Sequence, residues 1–262
     1  MKRWLIAFVL VWTACTRTDG FSPSLIQGPF CMESSSPLPR EVKELLSQPF
    51  YYLNKGRQCF VFESKDQKYV LKFFNQKYLQ MPWYSFFGEK KEREKRMARR
   101  HFYENSYAIA YREMGEEILY LHLGPSEELP QVKVLDKGGG SYTLDLTHLP
   151  FVLQKKGAPF YPALEAIYQK EGLLGLYREI DSYIAAVSAR ISKNIADADH
   201  NVEDNWGYVE GHLFHLDPGR LYYEDLTDPA LRQREWYRAT HSFYKWLNCN
   251  YPEAADYFKK KI

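Results

Sequence analysis

The polar and apolar residues of this chain fall into blocks with different periods. Trp4 to Trp12 is an apolar run without a charge, preceded by Lys2 and Arg3. Thr16 to about Pro39 has no sustained period and is rich in Ser, Pro and Gly, with Glu33-Ser34-Ser35-Ser36-Pro37 the clearest polar run. Such a stretch buries too little apolar surface to fold alone, so residues 16–46 are expected to form a flexible tether. Phe21, Leu25, Ile26 and Phe30 offer the alternative of an ordered arm lying on the domain. Glu41 to Leu46 reads as a helical turn before the domain begins.

From Phe50 to Asn75, β-branched and aromatic residues are broken by polar turns at Lys55-Gly56-Arg57-Gln58 and Ser64-Lys65-Asp66-Gln67-Lys68. Three antiparallel strands are predicted. From Gly88 to about Leu121 the period lengthens. Phe102, Tyr107, Tyr111, Met114, Ile118 and Leu121 recur at helical spacing, with Gly115 the weak point. The first third of this helix, Glu89 to Arg100, mixes both charge signs and reads as a solvated face laced by i,i+4 pairs. Gln131 to Asp136, Tyr142 to Leu146 and Phe151 to Lys155 read as strands. Gly138-Gly139-Gly140 turns between the first two; it follows no strand-to-helix pattern and is not read as a phosphate loop. Lys156-Gly157-Ala158-Pro159 is the natural crossing to a second unit. There Leu173 to Ala196 is helical, with Tyr177, Ile180, Ile184, Val187 and Ile191 on one face, and Leu231 to Leu247 is helical again. The pattern predicts an α+β chain, a sheet-bearing unit over residues 47–155 and a helical unit over 156–262.

Ile195 to Leu221 carries the densest chemistry. Acidic and amide residues crowd its first half, then two apolar runs flank Glu210-Gly211 and predict a hairpin. With a loop of Glu210-Gly211-His212, counting outward sets Asn205 opposite Asp217. With a loop of Glu210-Gly211 alone, Asp204 faces Asp217. Either count gathers two oxygen-bearing side chains, which suit a hard cation such as magnesium. Asp199, just upstream, is placed to act as a base. Lys72 is a charge within the apolar run Val70 to Phe74, and a buried ammonium needs a carboxylate or phosphate. A metal-dependent hydrolase built on Asp197, Asp199, His200 and His215 is a further reading, although no established ligand spacing links them.

These two stretches, in this order, resemble the protein-kinase-like superfamily from about Tyr51 to Leu221. The resemblance implies a two-lobed fold with an antiparallel-sheet N-lobe and a reduced helical C-lobe. It implies Asp199 as catalytic base and Asn205 and Asp217 as magnesium ligands. It also implies Lys72 for the phosphates of ATP, Glu104 or secondarily Glu113 as the helix carboxylate that holds it, and Gly56 in the phosphate-covering turn. Phe151 to Lys155 would lead into the hinge. This sequence departs from the family pattern in several places. Asp199 to Asn205 is one residue longer than usual, the His-Arg-Asp triplet is absent, and Asp217-Pro218-Gly219 replaces Asp-Phe-Gly. Gly56 alone remains of the glycine-rich set, and no activation segment or Ala-Pro-Glu anchor follows. The function implied is an atypical nucleotide- and magnesium-binding phosphotransferase acting on an unknown acceptor, or else an inactive kinase-like binding module.

Composition adjusts this picture. Lys plus Arg number 35 against 33 Asp plus Glu, a formal charge of +2, which argues against a nucleic-acid partner. The N-terminal run is too short to span a bilayer, and Thr13-Ala14-Cys15 resembles the end of a lipoprotein signal. Residues 1–15 are therefore expected to be a signal peptide. Cys15 would carry the lipid on an exported, membrane-anchored protein, and this would be its one membrane contact. Without that signal the protein would be cytoplasmic. Cys31, Cys59 and Cys249 have no metal-ligand spacing and allow at most one disulfide.

Overall fold

The structure is a computed structural model that describes residues 19–30, 32–33, 35–78, 90–115, 117–127 and 129–262. The signal segment, Cys15 and Cys31 lie outside the described residues. The chain divides into two compact units. One holds the described residues through Glu104 together with Ile118–Lys156; the other holds Asn105–Glu117 and Gly157–Ile262.

The first unit is built on one seven-stranded sheet. Its strands are β1 (Phe50–Lys55), β2 (Cys59–Ser64), β3 (Tyr69–Phe74), β4 (Ile118–His122), β5 (Gln131–Leu135), β6 (Ser141–Asp145) and β7 (Phe151–Lys155), in the order β4-β7-β3-β2-β1-β5-β6. All neighbours are antiparallel except β1 and β5, where Phe50 pairs with Val134 and Tyr51 with Leu135. The alternating burial of β5, with Val132 and Val134 in and Gln131 and Lys133 out, marks a sheet with one solvated face. β3 is buried along almost its whole length, which suits its place between β2 and β7.

The predicted long helix is shorter than expected. It spans Lys90–Glu113, and Ile118–His122 is strand β4. Gly115 takes φ of +133°, a conformation open to glycine and hostile to a continuing helix. The apolar residues Ile118 and Leu121 continued the helical spacing only by coincidence.

The expected tether is an ordered arm over its described part. Phe21 and Ile26 are buried with Val42 and Leu46 in the sheet core, and Phe21 meets Phe60, Phe62 and Tyr142 edge-on at 5.2, 5.0 and 5.7 Å. Each buried aromatic of this size is worth about 1.5–3 kcal/mol, enough to offset the backbone ordering of one or two residues. Polar contacts fix the rest. The Met32 amide donates to Leu123 O at 3.0 Å, Ser35 Oγ to Gly124 O at 2.8 Å, and Tyr120 Oη to Ser36 O at 2.7 Å.

The second unit packs the Phe160–Ser192, Pro229–Asn250 and Pro252–Lys259 helices around a core that includes Phe160, Tyr183, Phe243 and Phe258. The first of these helices breaks at Gly172, φ +64°, which explains why helical periodicity was legible only from Leu173. Short strands β8 (Ala158–Pro159), β10 (Trp206–Val209) and β11 (His212–His215) form one small sheet. β9 (Ile195–Asp197) and β12 (Leu221–Tyr223) form another. A mostly antiparallel sheet in one unit and packed helices with short strands in the other make an α+β architecture. Among the described residues, no helix is long and apolar enough to cross a membrane.

Candidate active site

The hairpin is closed by a two-residue loop. Val209 pairs with His212 and Trp206 with His215, leaving Glu210 and Gly211 at φ +51° and +83°. This is the tight turn whose twist suits a hairpin. Simple counting would then bring Asp204 opposite Asp217. The ladder stops at Trp206, however, because Val202–Asn205 winds into a helical turn capped by Asn201, whose Oδ1 accepts from the Glu203 amide at 3.2 Å. The turn carries Asp204 outward, where it accepts from Asn201 Nδ2 at 2.6 Å, and Asn205 inward to 6 % exposure.

Asn205 therefore joins the two acidic positions. Its Nδ2 donates to Asp199 O at 2.8 Å, and its own carbonyl accepts from the Asp217 amide at 3.3 Å. With the amide nitrogen committed, Oδ1 is the acceptor oxygen of that side chain. Asp217 Oδ1 accepts from Tyr107 Oη at 3.0 Å and from the Gly219 amide at 3.2 Å. Asp199 is anchored through its amide, which donates to Asp197 Oδ1 at 2.8 Å, and its Oδ1 accepts from Asn201 N at 3.3 Å. An amide oxygen and a carboxylate on adjoining segments form a donor set of the kind magnesium takes from a protein, with phosphates and water completing the shell.

Glycine makes this closeness possible. A Cβ at Gly207 would lie 2.3 Å from Ala158 O and 2.4 Å from Leu216 Cδ1, and one at Gly157 would lie 2.3 Å from Leu216 Cδ2. Leu216 thus sits over two glycines, directly before Asp217.

Beneath the loop lies a buried polar network that the sequence did not reveal. Arg190 Nη1 pairs with Glu235 Oε1 at 2.8 Å and donates to Ile195 O at 2.9 Å. Glu235 Oε1 also accepts from the Asp197 amide at 3.0 Å, and His200 Nε2 stands 3.4 Å from Oε2. Asp197 Oδ2 faces His215 Nε2 at 3.3 Å. Burial alone would raise both carboxyls. For Asp197 the His215 hydrogen bond and the charges of His215 and Arg190 outweigh it. For Glu235 the His200 hydrogen bond and the Arg190 charge do so. Both groups lie below the usual carboxylate range. The signal for Arg190 was a charge beside the apolar positions Val187 and Ile191; nothing marked Glu235. Asp197 and the two histidines are occupied in this network, and the described residues contain no group of three His, Cys, Asp or Glu suited to a metal. The hydrolase reading therefore does not assemble.

The other predicted residues are placed by their own elements. Lys72 is buried on β3, paired in register with Val61 and Val152, and Glu104 is buried with its Oε1 3.0 Å from Arg100 Nε. Both belong to the first unit. Glu113, the secondary candidate, lies in the second unit and accepts from Tyr223 Oη at 3.1 Å and Arg112 Nε at 3.3 Å. Gly56 is exposed in the β1–β2 turn; an added Cβ would meet nothing nearer than 3.9 Å, so the fold itself does not demand glycine there. The amides of Gly138 and Gly140 are taken by Asp136 Oδ1 at 2.8 and 2.7 Å.

No protein-family model and no curated protein matches the chain. Among solved structures, a 2.2 Å crystal structure of WbdD matches with a TM-score of 0.41 and 15% identity, over 80% of this chain and 45% of that one. A co-crystal structure of WbdD with the kinase inhibitor LY294002 matches at 0.38 and 14%, with the same coverage. The chain thus spans under half the length of these proteins.

Proposed function

We propose that this chain is an atypical kinase-like phosphotransferase that binds ATP and magnesium. The observation that carries the reading is the double tie made by Asn205, from its side chain to Asp199 and from its carbonyl to the Asp217 amide. In this reading Asn205 Oδ1 and the Asp217 carboxylate hold magnesium, and Asp199 orients an acceptor hydroxyl and takes its proton. Lys72 holds nucleotide phosphates, Glu104 holds Lys72, and Gly56 belongs to the covering turn. Bound magnesium nucleotide supplies the transferable phosphoryl group and neutralises its charge; the protein's share is positioning. The buried Arg190–Glu235 pair supports that share by fixing the backbone at Ile195 and Asp197, just before Asp199.

A second reading is an inactive kinase-like binding module. It is favoured by Asp217, whose Oδ1 is already engaged by Tyr107 and Gly219, and by the single glycine of the β1–β2 turn. It also suits a lipoprotein anchored at Cys15 and exported, since nucleoside triphosphate is not expected beyond the cytoplasmic membrane. The deciding experiment is a titration of nucleotide with and without magnesium against the purified protein, followed by a turnover assay. Magnesium-dependent binding with turnover supports the enzyme, and binding without turnover the module. No binding under any metal condition defeats the enzyme reading and any nucleotide-dependent module.

A further inference from the structure

We propose that the end of the sheet formed by the β1–β2 and β5–β6 turns faces a bilayer and seats on anionic lipid headgroups. The inference rests on the lipoprotein reading, with lipid carried at Cys15.

The first observation is where the arm begins. Asp19 is tied to the first unit at three points. Its Oδ2 accepts from Tyr52 Oη at 2.8 Å, Lys55 Nζ reaches its carboxylate at 3.4 Å and also its carbonyl, and Lys137 Nζ lies 3.9 Å from it. Two residues on, Phe21 is locked into the core. Asp19 is four residues beyond Cys15, and an extended chain covers at most about 3.3–3.6 Å per residue, so the lipid-bearing residue can be no more than about 14 Å from Asp19. A tether of thirty-odd residues would have left the domain free to face any direction; this one leaves the sheet end beside Asp19 next to the headgroups.

The second observation is the chemistry of that end. β1 and β5 run parallel, with Tyr51 level with Leu135. β1 runs four residues past that level, and Lys55 at its end and Lys137 just beyond β5 both reach Asp19, which brings the Lys55–Cys59 and Asp136–Ser141 turns to one rim. The rim carries exposed Lys55, Arg57 and Lys137 against Asp19 and the buried Asp136, three positive charges to two negative. Side-chain exposure is 38% at Lys55 and 58% at Lys137, so both ammonium groups reach solvent although Asp19 is near. Basic side chains beside a lipid anchor are the pairing that holds a domain flat on an anionic surface, because acyl chain and charge act together. Gly56 belongs to the same turn, so the test reads membrane position and not nucleotide.

The test uses the full chain, lipid-modified in a bacterial membrane containing phosphatidylglycerol. A photoreactive benzophenone side chain is placed singly at Arg57, at Lys137 and, as control, at Gln131 on the opposite end of β5. After irradiation, lipid-mass adducts are expected at 57 and 137 and absent at 131. In the Lys55→Glu, Lys137→Glu double variant, adducts at 57 should fall at least several-fold. Adducts to protein only, none at 57 and 137, or equal yields at 131 would overturn the bilayer-facing surface. Mass analysis of the parent separates the two claims. Lipid on Cys15 without adducts removes this inference alone, whereas an unmodified Cys15 removes the lipoprotein reading and this inference with it.

Discussion

The Tyr107 hydroxyl donates to Asp217 Oδ1 across 3.0 Å, from a fully buried position on the Lys90–Glu113 helix. The preceding residue, Ser106, donates to Leu221 O at 2.8 Å. Together they hold the Asp-Pro-Gly turn at both ends. Tyr107→Phe should cost about 1 kcal/mol of stability and weaken magnesium-dependent nucleotide binding several-fold, while Ser106→Ala should lower stability without acting on the carboxylate. Urea melts and magnesium titrations of the two variants check this; equal magnesium affinity in parent and Tyr107→Phe would remove Tyr107 from the site.

Removing a carboxylate that faces a cation removes both a ligand and its opposing charge. Asp217→Ala is expected to abolish magnesium-dependent binding. Asp199→Ala should bind nearly as the parent does and turn over about 10²–10⁴-fold more slowly. Lys72→Ala should weaken nucleotide affinity with or without metal. Binding isotherms and single-turnover rates of the three variants form the check.

The Arg190–Glu235 pair is buried at 2% and 1% side-chain exposure. Glu235→Ala leaves an unopposed guanidinium and should destabilise by about 3–5 kcal/mol. The pair also sets an acid limb. The Asp197 and Glu235 carboxyls have folded pKa values below their unfolded ones, so their contribution is full above the ordinary carboxylate range and is lost as pH falls through and below it. A Glu235→Gln variant should show a flatter fall of stability on acidification. Denaturation midpoints measured across that range test the slope, and an unchanged slope contradicts the assignment.

Gly207 has no room for a methyl group, with a backbone carbonyl 2.3 Å from the position a Cβ would take. Gly207→Ala should cost about 1–3 kcal/mol and displace Leu216, and with it the residue that follows. Gly211→Ala at the hairpin turn meets no neighbour and should cost less, through its positive φ alone. Thermal melts of the pair rank the two effects; equal losses would refute the packing explanation.

Cys15→Ser should release the protein from membranes and block processing, if the signal is of lipoprotein type. Fractionation and intact mass decide it.

Much of the sheet was legible because its strands are short, aromatic and bounded by polar turns, as at Ser64 to Lys68. β4 was not, since Ile118 and Leu121 extend a helical spacing across Gly115, and periodicity cannot see a φ of +133°. The order of the arm is hidden by its Ser- and Pro-rich composition, because the burial of Phe21 and Ile26 depends on partners far along the chain. At the candidate site, Asp199, Asn205 and Asp217 stood out as residue types. What joins Asn205 to both acids is the helical turn at Val202–Asn205, which neither hairpin count contained. Tyr107 read as one more core aromatic, and Glu235 lay thirty-odd residues beyond the loop it supports.

The docked arm also has a history in time. A chain made from its N-terminus presents Phe21 long before Phe60, Phe62 and Tyr142 exist to receive it. Until Tyr142 has emerged, Phe21 has no finished sheet to lie on. Once the sheet closes, the same residue becomes part of the core. The order of synthesis thus makes the first described residues of the arm among the last of the sheet unit to be covered.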